Sequence, residues 1–306
     1  MARSSPVRSL VVLALLVLAA PARADPAEAN GIIVFQSDFG LKDGAVSAMH
    51  GVAVSVDPDL RLEDLTHEIP AFNIWEGAYR LDTTAPYWPA GTVFVSVVDP
   101  GVGTERRSVV LETGSGHYFV SPDNGTLTLV AESLGIAALR AIDESRYRRP
   151  GSEASYTFHG RDVYAYAAAH LASGRTAFAD IGPALAPEVV RLDYQQPALE
   201  GDRVIGNIPI LDVQFGNVWT NIDRATFEQL EVARGAPVEV RILKDQEQVW
   251  EGMVPYVSTF GDVPEGEPLL YLNSVDNLAL AINWGDFAAT HGIASGPEWR
   301  IEVAKP

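Results

Sequence analysis

The sequence predicts an α/β protein in two parts: an N-terminal α/β domain with a largely parallel sheet over residues 31–195, and a smaller, mainly β domain over residues 200–306. Three observations carry this. Apolar strand-like runs alternate with segments of helical period through the first part, the pattern of βαβ units. A Pro-punctuated stretch from Gly182 to Gly201, containing Tyr194-Gln195-Gln196-Pro197, then breaks the alternation. Beyond it short β-rich runs dominate, with no internal repeat and no low-complexity segment.

In chain order, Ile32 to Phe35 is a fully apolar run that stops at Ser37-Asp38-Phe39-Gly40, a turn into a helix. Ala45, Val46, Met49, Ala53 and Val56 then recur at helical spacing until Pro58 ends the pattern. Leu60 to Leu65 is the next expected strand, Ile74 to Thr84 the next helix, and Thr92 to Val98 a second buried-type strand ending at Asp99-Pro100-Gly101. His117 to Val120 leads into the turn Ser121-Pro122-Asp123-Asn124-Gly125, and Arg161 to Ala172 has helical spacing with Gly174 as its C-cap. In the second part the expected strands are Val204 to Asp212, Val238 to Leu243, Val249 to Val254, Leu269 to Leu272 and Arg300 to Val303.

The first 24 residues have the pattern of an export signal. Arg3 and Arg8 form a basic start, Leu10 to Ala20 is uninterruptedly apolar, and Ala22-Arg23-Ala24 is a small-residue cleavage site before Asp25. The apolar run is well short of the roughly 20 residues that span a bilayer, so the expectation is a periplasmic or secreted protein with no membrane attachment once the signal is removed. Its removal takes the formal charge from −18 to −21. A field of that sign repels phosphate backbones and anionic lipid, which disfavours nucleic-acid binding. The chain has no Cys, so any nucleophile or metal ligand must come from His, carboxylates or hydroxyls.

In an open parallel sheet, ligands bind outside the carboxyl ends of the strands. Asp38 and Asp99 both fall there, each followed within two residues by Gly. One such Asp alone is more often a turn or helix cap; two together point toward a site. In Val98-Asp99-Pro100-Gly101-Val102-Gly103-Thr104-Glu105-Arg106-Arg107, the glycines permit close backbone approach and the loop is long enough for Arg106 to fold back onto Asp99, although a plain surface ion pair has the same spacing. A phosphate loop is excluded by the missing GKS/T end. Among the His residues, His117 and His291 are expected to face solvent, His50 and His170 to pack or lie on the surface, and His67 is ambiguous. His159 stands apart, in a tight turn at a helix start within Thr157-Phe158-His159-Gly160-Arg161-Asp162. No pair has H-x-H or H-E-x-x-H spacing, so no metal site is expected, and no Gly-x-Ser-x-Gly elbow is present. In the second part, Asp212 to Asn221 and Tyr271-Leu272-Asn273-Ser274 combine aromatic, amide and carboxylate groups. Such a set suits a purine-like ring and an ammonium group, although the segment from Asp212 to Asn221 alone reads slightly more readily as a hairpin with a structural aromatic.

Taken in order, Ser37-Asp38-Phe39-Gly40, Leu65-Thr66-His67-Glu68-Ile69-Pro70, Val98-Asp99-Pro100-Gly101-Val102-Gly103, Ser121-Pro122-Asp123-Asn124-Gly125, Phe158-His159-Gly160-Arg161-Asp162 and Phe215-Gly216-Asn217 resemble the motifs of the S-adenosyl-L-methionine hydrolase family. This family is also called the hydroxide adenosyltransferases, and the fluorinase and chlorinase are related to it. The resemblance runs from about Gly31 to the C-terminus. It implies a homotrimer whose sites lie between the first domain of one subunit and the second domain of the next. It implies Asp99, Arg106 and His159 as the catalytic set, Asp38 at the ribose, Asp43 further along that loop, and Phe72 stacked near the ligand. It places Asp212 and Ser274 at the methionine part and Phe215 and Asn217 around adenine. Val275 departs from the halogenating relatives, which carry arginine there, and export is unexpected for an enzyme whose substrate is made in the cytoplasm.

The implied reaction is hydrolysis of S-adenosyl-L-methionine to adenosine and L-methionine, with no cofactor and no metal, because a sulfonium departs as a neutral thioether. What the protein must supply is an aligned water that loses a proton as it attacks. Two alternatives stand beside it. A halide-dependent halogenase is disfavoured by Asp99, whose position in the halogenating relatives carries Tyr, by His159, and by the lack of an insertion after Arg107. An exported nucleoside-type binding protein would keep the pocket without turnover.

Overall fold

The computed structural model describes residues 28–306; the export signal read from residues 1–24 lies outside them. The chain runs through β1 (Ile32–Ser37), α1 (Ala45–Val56), β2 (Arg61–Thr66), α2 (Ile74–Thr84), β3 (Val93–Val97), β4 (Ser108–Thr113), β5 (Tyr118–Pro122), α3 (Thr128–Ser133), β6 (Ile136–Ala141), α4 (Glu144–Tyr147) and α5 (Tyr166–Ala172). These build a six-stranded sheet of order β2-β1-β3-β5-β4-β6. The pairs β1/β2, β1/β3 and β3/β5 are parallel, and β4 is antiparallel to both of its neighbours. β1 and β3 are mostly apolar, broken only by buried Gln36, Ser37 and Ser96, because both sheet faces are covered. Ile33 and Phe35 pack with α1 and α5 on one face, and Val34 and Phe94 with Leu81 of α2 and Val130 of α3 on the other. α2 begins at an N-cap that the sequence carries openly: the Asn73 side chain accepts from the Glu76 N–H at 2.9 Å.

The C-terminal part continues through β7 (Ala198–Glu200), β8 (Arg203–Ile208), β9 (Ile210–Leu211), β10 (Val218–Asp223), α6 (Arg224–Glu228), β11 (Pro237–Lys244), β12 (Glu247–Pro255), β13 (Pro268–Leu272), β14 (Asn277–Ile282), α7 (Phe287–His291) and β15 (Gly296–Ala304). It forms two antiparallel sheets, β13-β14-β10-β9 and β12-β11-β15-β8-β7, which share a core of Val204, Val218, Val240, Leu280 and Ile301 among others. The two parts meet where Ala78, Tyr79 and Leu129 pack on Ile210, and where the Trp75 indole donates to the Pro209 carbonyl at 3.0 Å. Among the described residues no helix is long and apolar enough to cross a membrane.

Two of the six His expectations are corrected. His117 is 5% exposed, not solvent-facing: β5 lies inside the sheet between β3 and β4, so the hairpin turn tucks under the chain at Trp88, whose carbonyl lies 2.9 Å from Nε2. His291 is half-buried, its ring 4.6 Å from that of Phe287 and 5.5 Å from that of Trp250.

Candidate active site

A cavity of about 260 Å³ opens at the carboxyl ends of β1 and β3, where a parallel sheet presents its strand-end loops, and it is lined by Asp38, Phe39, Phe72, Val97, Asp99, Phe158 and His159 among others. Asp99 follows β3 directly. The loop after it closes through two turns, Val102 N–H to the Asp99 carbonyl and Thr104 N–H to that of Gly101, and this brings Arg106 back as the spacing suggested. Arg106 Nε lies 2.9 Å from Asp99 Oδ1 and Nη2 lies 2.5 Å from Oδ2, with side chains 10% and 5% exposed. Burial works against the Arg106 charge, but the hydrogen bond to Asp99 and the surrounding negative charge outweigh it and raise the pKa above its ordinary value.

His159 reaches the same point from the other side. It precedes a π-helical turn, Gly160–Ala165, that runs into α5, an arrangement common where a helix must re-aim a functional group. A Cβ on Gly160 would lie 3.0 Å from Val97 and 3.3 Å from Met49 Sδ, so glycine lets this turn seat against β3 and α1. The imidazole is held between two guanidinium groups, with Nδ1 2.8 Å from Arg106 Nη2 and Nε2 3.1 Å from Arg148 Nη2. A neutral imidazole has one acceptor nitrogen, so it accepts from one arginine at a time while its own N–H faces the other. Burial first, then the charges of Arg106 and Arg148, push its pKa below the ordinary histidine value, although Glu144 and Asp99 oppose them.

Arg148, Glu144, Ser108 and Tyr164 were not picked out from the sequence. Arg148 Nη2 is 2.7 Å from Glu144 Oε2, and Ser108 Oγ donates to Glu144 Oε1 at 3.0 Å while accepting from Arg106 Nη1 at 3.1 Å. Tyr164 Oη lies 3.4 Å from Asp99 Oδ2; burial and the Asp99 charge push its pKa up, so it is a neutral donor. The i, i+4 spacing of Glu144 and Arg148 was the available signal. The result is a closed ring of contacts, Arg106–His159–Arg148–Glu144–Ser108 and back to Arg106, with Asp99 paired to Arg106.

The other sequence-derived residues are distributed as follows. Asp38 lines the cavity and its Oδ2 accepts from the Phe72 N–H at 2.9 Å. Phe72 itself is 71% exposed at the rim, with φ of 69°. Asp43 does not line this cavity; its Oδ1 accepts from Ala45 N–H at 2.8 Å at the start of α1. The C-terminal set gathers in a second cavity of about 790 Å³ that shares no lining residue with the first and includes Asp212, Phe215, Asn217, Tyr271, Asn273, Ser274 and Trp284. Gly216 shapes that loop: its φ is 65°, and a Cβ there would collide with the Asp286 carboxylate. Asn217 Nδ2 donates to Asp212 Oδ2 at 3.2 Å, and burial together with the Asp212 charge pushes the Tyr271 hydroxyl up to about 12. Asn273, named in the sequence only as part of its segment and given no role there, leaves its buried Nδ2 without a protein partner while its Oδ1 accepts from the N–H groups of Val275 and Asn277.

A strand-end carboxylate–arginine–histidine set in a cavity, with a second cavity of aromatic, amide and carboxylate groups elsewhere in the chain, is the lining expected of an enzyme acting on a small molecule. Residues 33–182 match the model of the SAM hydroxide adenosyltransferase N-terminal domain and residues 206–300 that of the C-terminal domain, and the chain belongs to this family. It is 37% identical over 270 residues to the (R)-S-adenosyl-L-methionine hydrolase of Salinispora tropica, covering 88% of this chain and 97% of that one. To the hydrolase of that name from Methanocaldococcus jannaschii it is 44% identical over 64% of this chain and 70% of the other. A fluorinase of Actinoplanes is 32% identical over 89% and 97% of the two chains. The solved structure of a conserved protein from Thermotoga maritima superposes with a TM-score of 0.81 at 36% identity, over 89% of this chain and all of that one.

Proposed function

We propose that this chain is an enzyme that hydrolyses S-adenosyl-L-methionine to adenosine and L-methionine. The observation that carries the reading is the His159 ring seated between Arg106 and Arg148, whose charges add to burial in opposing its protonation, in the cavity that Asp99 and Asp38 also line. Water hydrogen-bonded to Asp99 attacks the ribose 5′ carbon; the new C–O bond forms as the C–S bond breaks, and the electron pair leaves with neutral methionine. The water proton passes to His159. Each arginine has a carboxylate of its own, Asp99 for Arg106 and Glu144 for Arg148, so freeing the imidazole lone pair to take the proton leaves neither guanidinium unpaired. The leaving group needs neither a general acid nor a metal, and the reaction as proposed uses no cofactor. The fluorinase relatives raise a halide as a rival nucleophile, but a carboxylate at Asp99 repels an anion and orients water. Incubating the chain with S-adenosyl-L-methionine, with and without chloride, and separating the products chromatographically tests this. Adenosine in both supports it; a product that requires chloride, or no product, refutes it.

The same proposal includes a homotrimer with sites at subunit interfaces and a location outside the cytoplasm. Three exposed aromatics favour shared sites: Phe72 at the first cavity, and Phe215 and Trp284 at the second, are 71%, 63% and 87% exposed in the single chain. A heterologous ring would cover them by seating one subunit's second cavity on the next subunit's first. The location rests on the basic start, apolar run and cleavage site of the first 24 residues.

A further inference from the structure

His50, Asp64 and His67 are not in the proposed reaction, yet they converge. Their ligand atoms lie within 4.8 Å of one another. His50 Nε2 is 2.8 Å and His67 Nε2 3.0 Å from the same oxygen, Asp64 Oδ1. Cis ligands about 2.1 Å from one metal ion lie about 3 Å apart at right angles, so the two contacts to Asp64 Oδ1 match two cis ligand separations about one ion.

The fold holds these groups in place from three directions. His50 lies on α1 with its ring 4.9 Å from that of Phe35. Asp64 lies on β2, where the pairing with β1 slips by one residue, Phe35 facing Asp64 and Gln36 facing Thr66; such a bulge re-aims the side chains beside it. The His67 side chain is 1% exposed, and its Nδ1 is 2.7 Å from Ser37 Oγ. A hydrogen-bond partner on the distal imidazole nitrogen orients a ligating histidine. His50 and Asp64, 28% and 39% exposed, leave an opening to solvent for entry and for water ligands. Two imidazoles and one carboxylate suit borderline transition metals over magnesium or calcium, which take oxygen donors.

We propose that His50, Asp64 and His67 form a site for a divalent transition metal of the zinc, nickel or cobalt kind, tying α1 to the end of β2 apart from the cavity of Asp99 and His159. Through Ser37 it also braces the strand end that carries Asp38. The test uses the untagged chain, stripped with a chelator and gel-filtered, then titrated with cobalt followed by its visible absorption and with zinc followed by calorimetry and thermal unfolding. The expected result is one ion per chain and a rise in Tm on zinc addition. His50→Gln and Asp64→Asn should each weaken binding about 10- to 100-fold or more and abolish that rise, with metal-free circular dichroism and Tm unchanged to show an intact fold. No saturable one-to-one binding, or equal binding in parent and both variants, overturns the proposal.

Discussion

Replacing Asp99 with Asn keeps the shape of the side chain and removes its charge, which separates the chemical part of the account from the structural part. In the parent, Arg106 makes three contacts to the Asp99 carboxylate, from Nε to each oxygen and from Nη2 to Oδ2. Asn offers one acceptor oxygen, and its NH₂ meets a guanidinium that cannot accept. Breaking a buried pair from one side costs about 3–5 kcal/mol. Arg106 keeps Ser108 Oγ and the His159 ring as partners, which places the loss at the lower end, about 3 kcal/mol. Turnover should fall about 10²-fold or more, the range for loss of a group that handles the reacting proton, equivalent to about 2.7 kcal/mol in the barrier. Urea unfolding at pH 7 reads the first quantity, and the rate of adenosine formation at saturating substrate reads the second, with KM changed little. Parent-like turnover in a variant that has lost the stability would show Asp99 to be a structural partner of Arg106 alone.

Loss of the imidazole in His159→Ala should lower kcat by about 10²-fold or more, measured as adenosine formed, with substrate binding by calorimetry preserved. The neutral ring is the active form, so the acid limb of kcat/KM should fall below the ordinary histidine value; Arg148→Met removes one of the cations responsible and should move that limb upward, and an unmoved limb would dissociate Arg148 from His159. By linkage, the unfolded chain binds the His159 proton before the folded chain does, so the stability contributed by the neutral ring is present above the ordinary histidine value and is lost as pH falls through the depressed one. Prolonged chelation should leave turnover within about two-fold; loss of activity that a divalent ion restores in the parent and in His50→Gln alike would replace the water-activation scheme with a metal-bound hydroxide. After dissociation and reassociation, a mixture of Asp99→Asn and Asp212→Ala subunits should regain partial activity, because some interfaces then pair two intact halves. A mixture that exchanges subunits and stays inactive would put each site within one chain.

The elements that sequence reading located are those whose burial imposes a period. α2 was expected from Ile74 to Thr84 and occupies those residues, because an N-cap and an amphipathic stripe mark it. β1 and β3, buried on both faces, carry the apolar runs Ile32 to Phe35 and Val93 to Val95. The helix expected over Arg161 to Ala172 starts as a π turn, a difference of hydrogen-bond register that apolar spacing cannot report. Strands missed include β4 and β6, which pair antiparallel beyond the parallel core, and β14 in the second part. In the candidate site, Asp99 and Arg106 were legible because one loop carries both. Arg148 and Glu144 were not, since a charged four-residue helix reads as surface until His159, brought from another loop, buries its ring against it. The meeting of His50 and His67 on Asp64 escaped for the same reason: their 17-residue separation follows no local motif, and only the β1/β2 bulge and the packing of α1 bring them together.

The most direct measurement is where the oxygen comes from. If this chain is run on S-adenosyl-L-methionine in water enriched in heavy oxygen, mass spectrometry should find the label on the 5′ carbon of adenosine, with methionine released in equal amount. Adenosine without label, a 5′-halogenated nucleoside formed in the presence of chloride, or substrate bound and left intact would each contradict attack by water in the cavity of Asp99, Arg106 and His159.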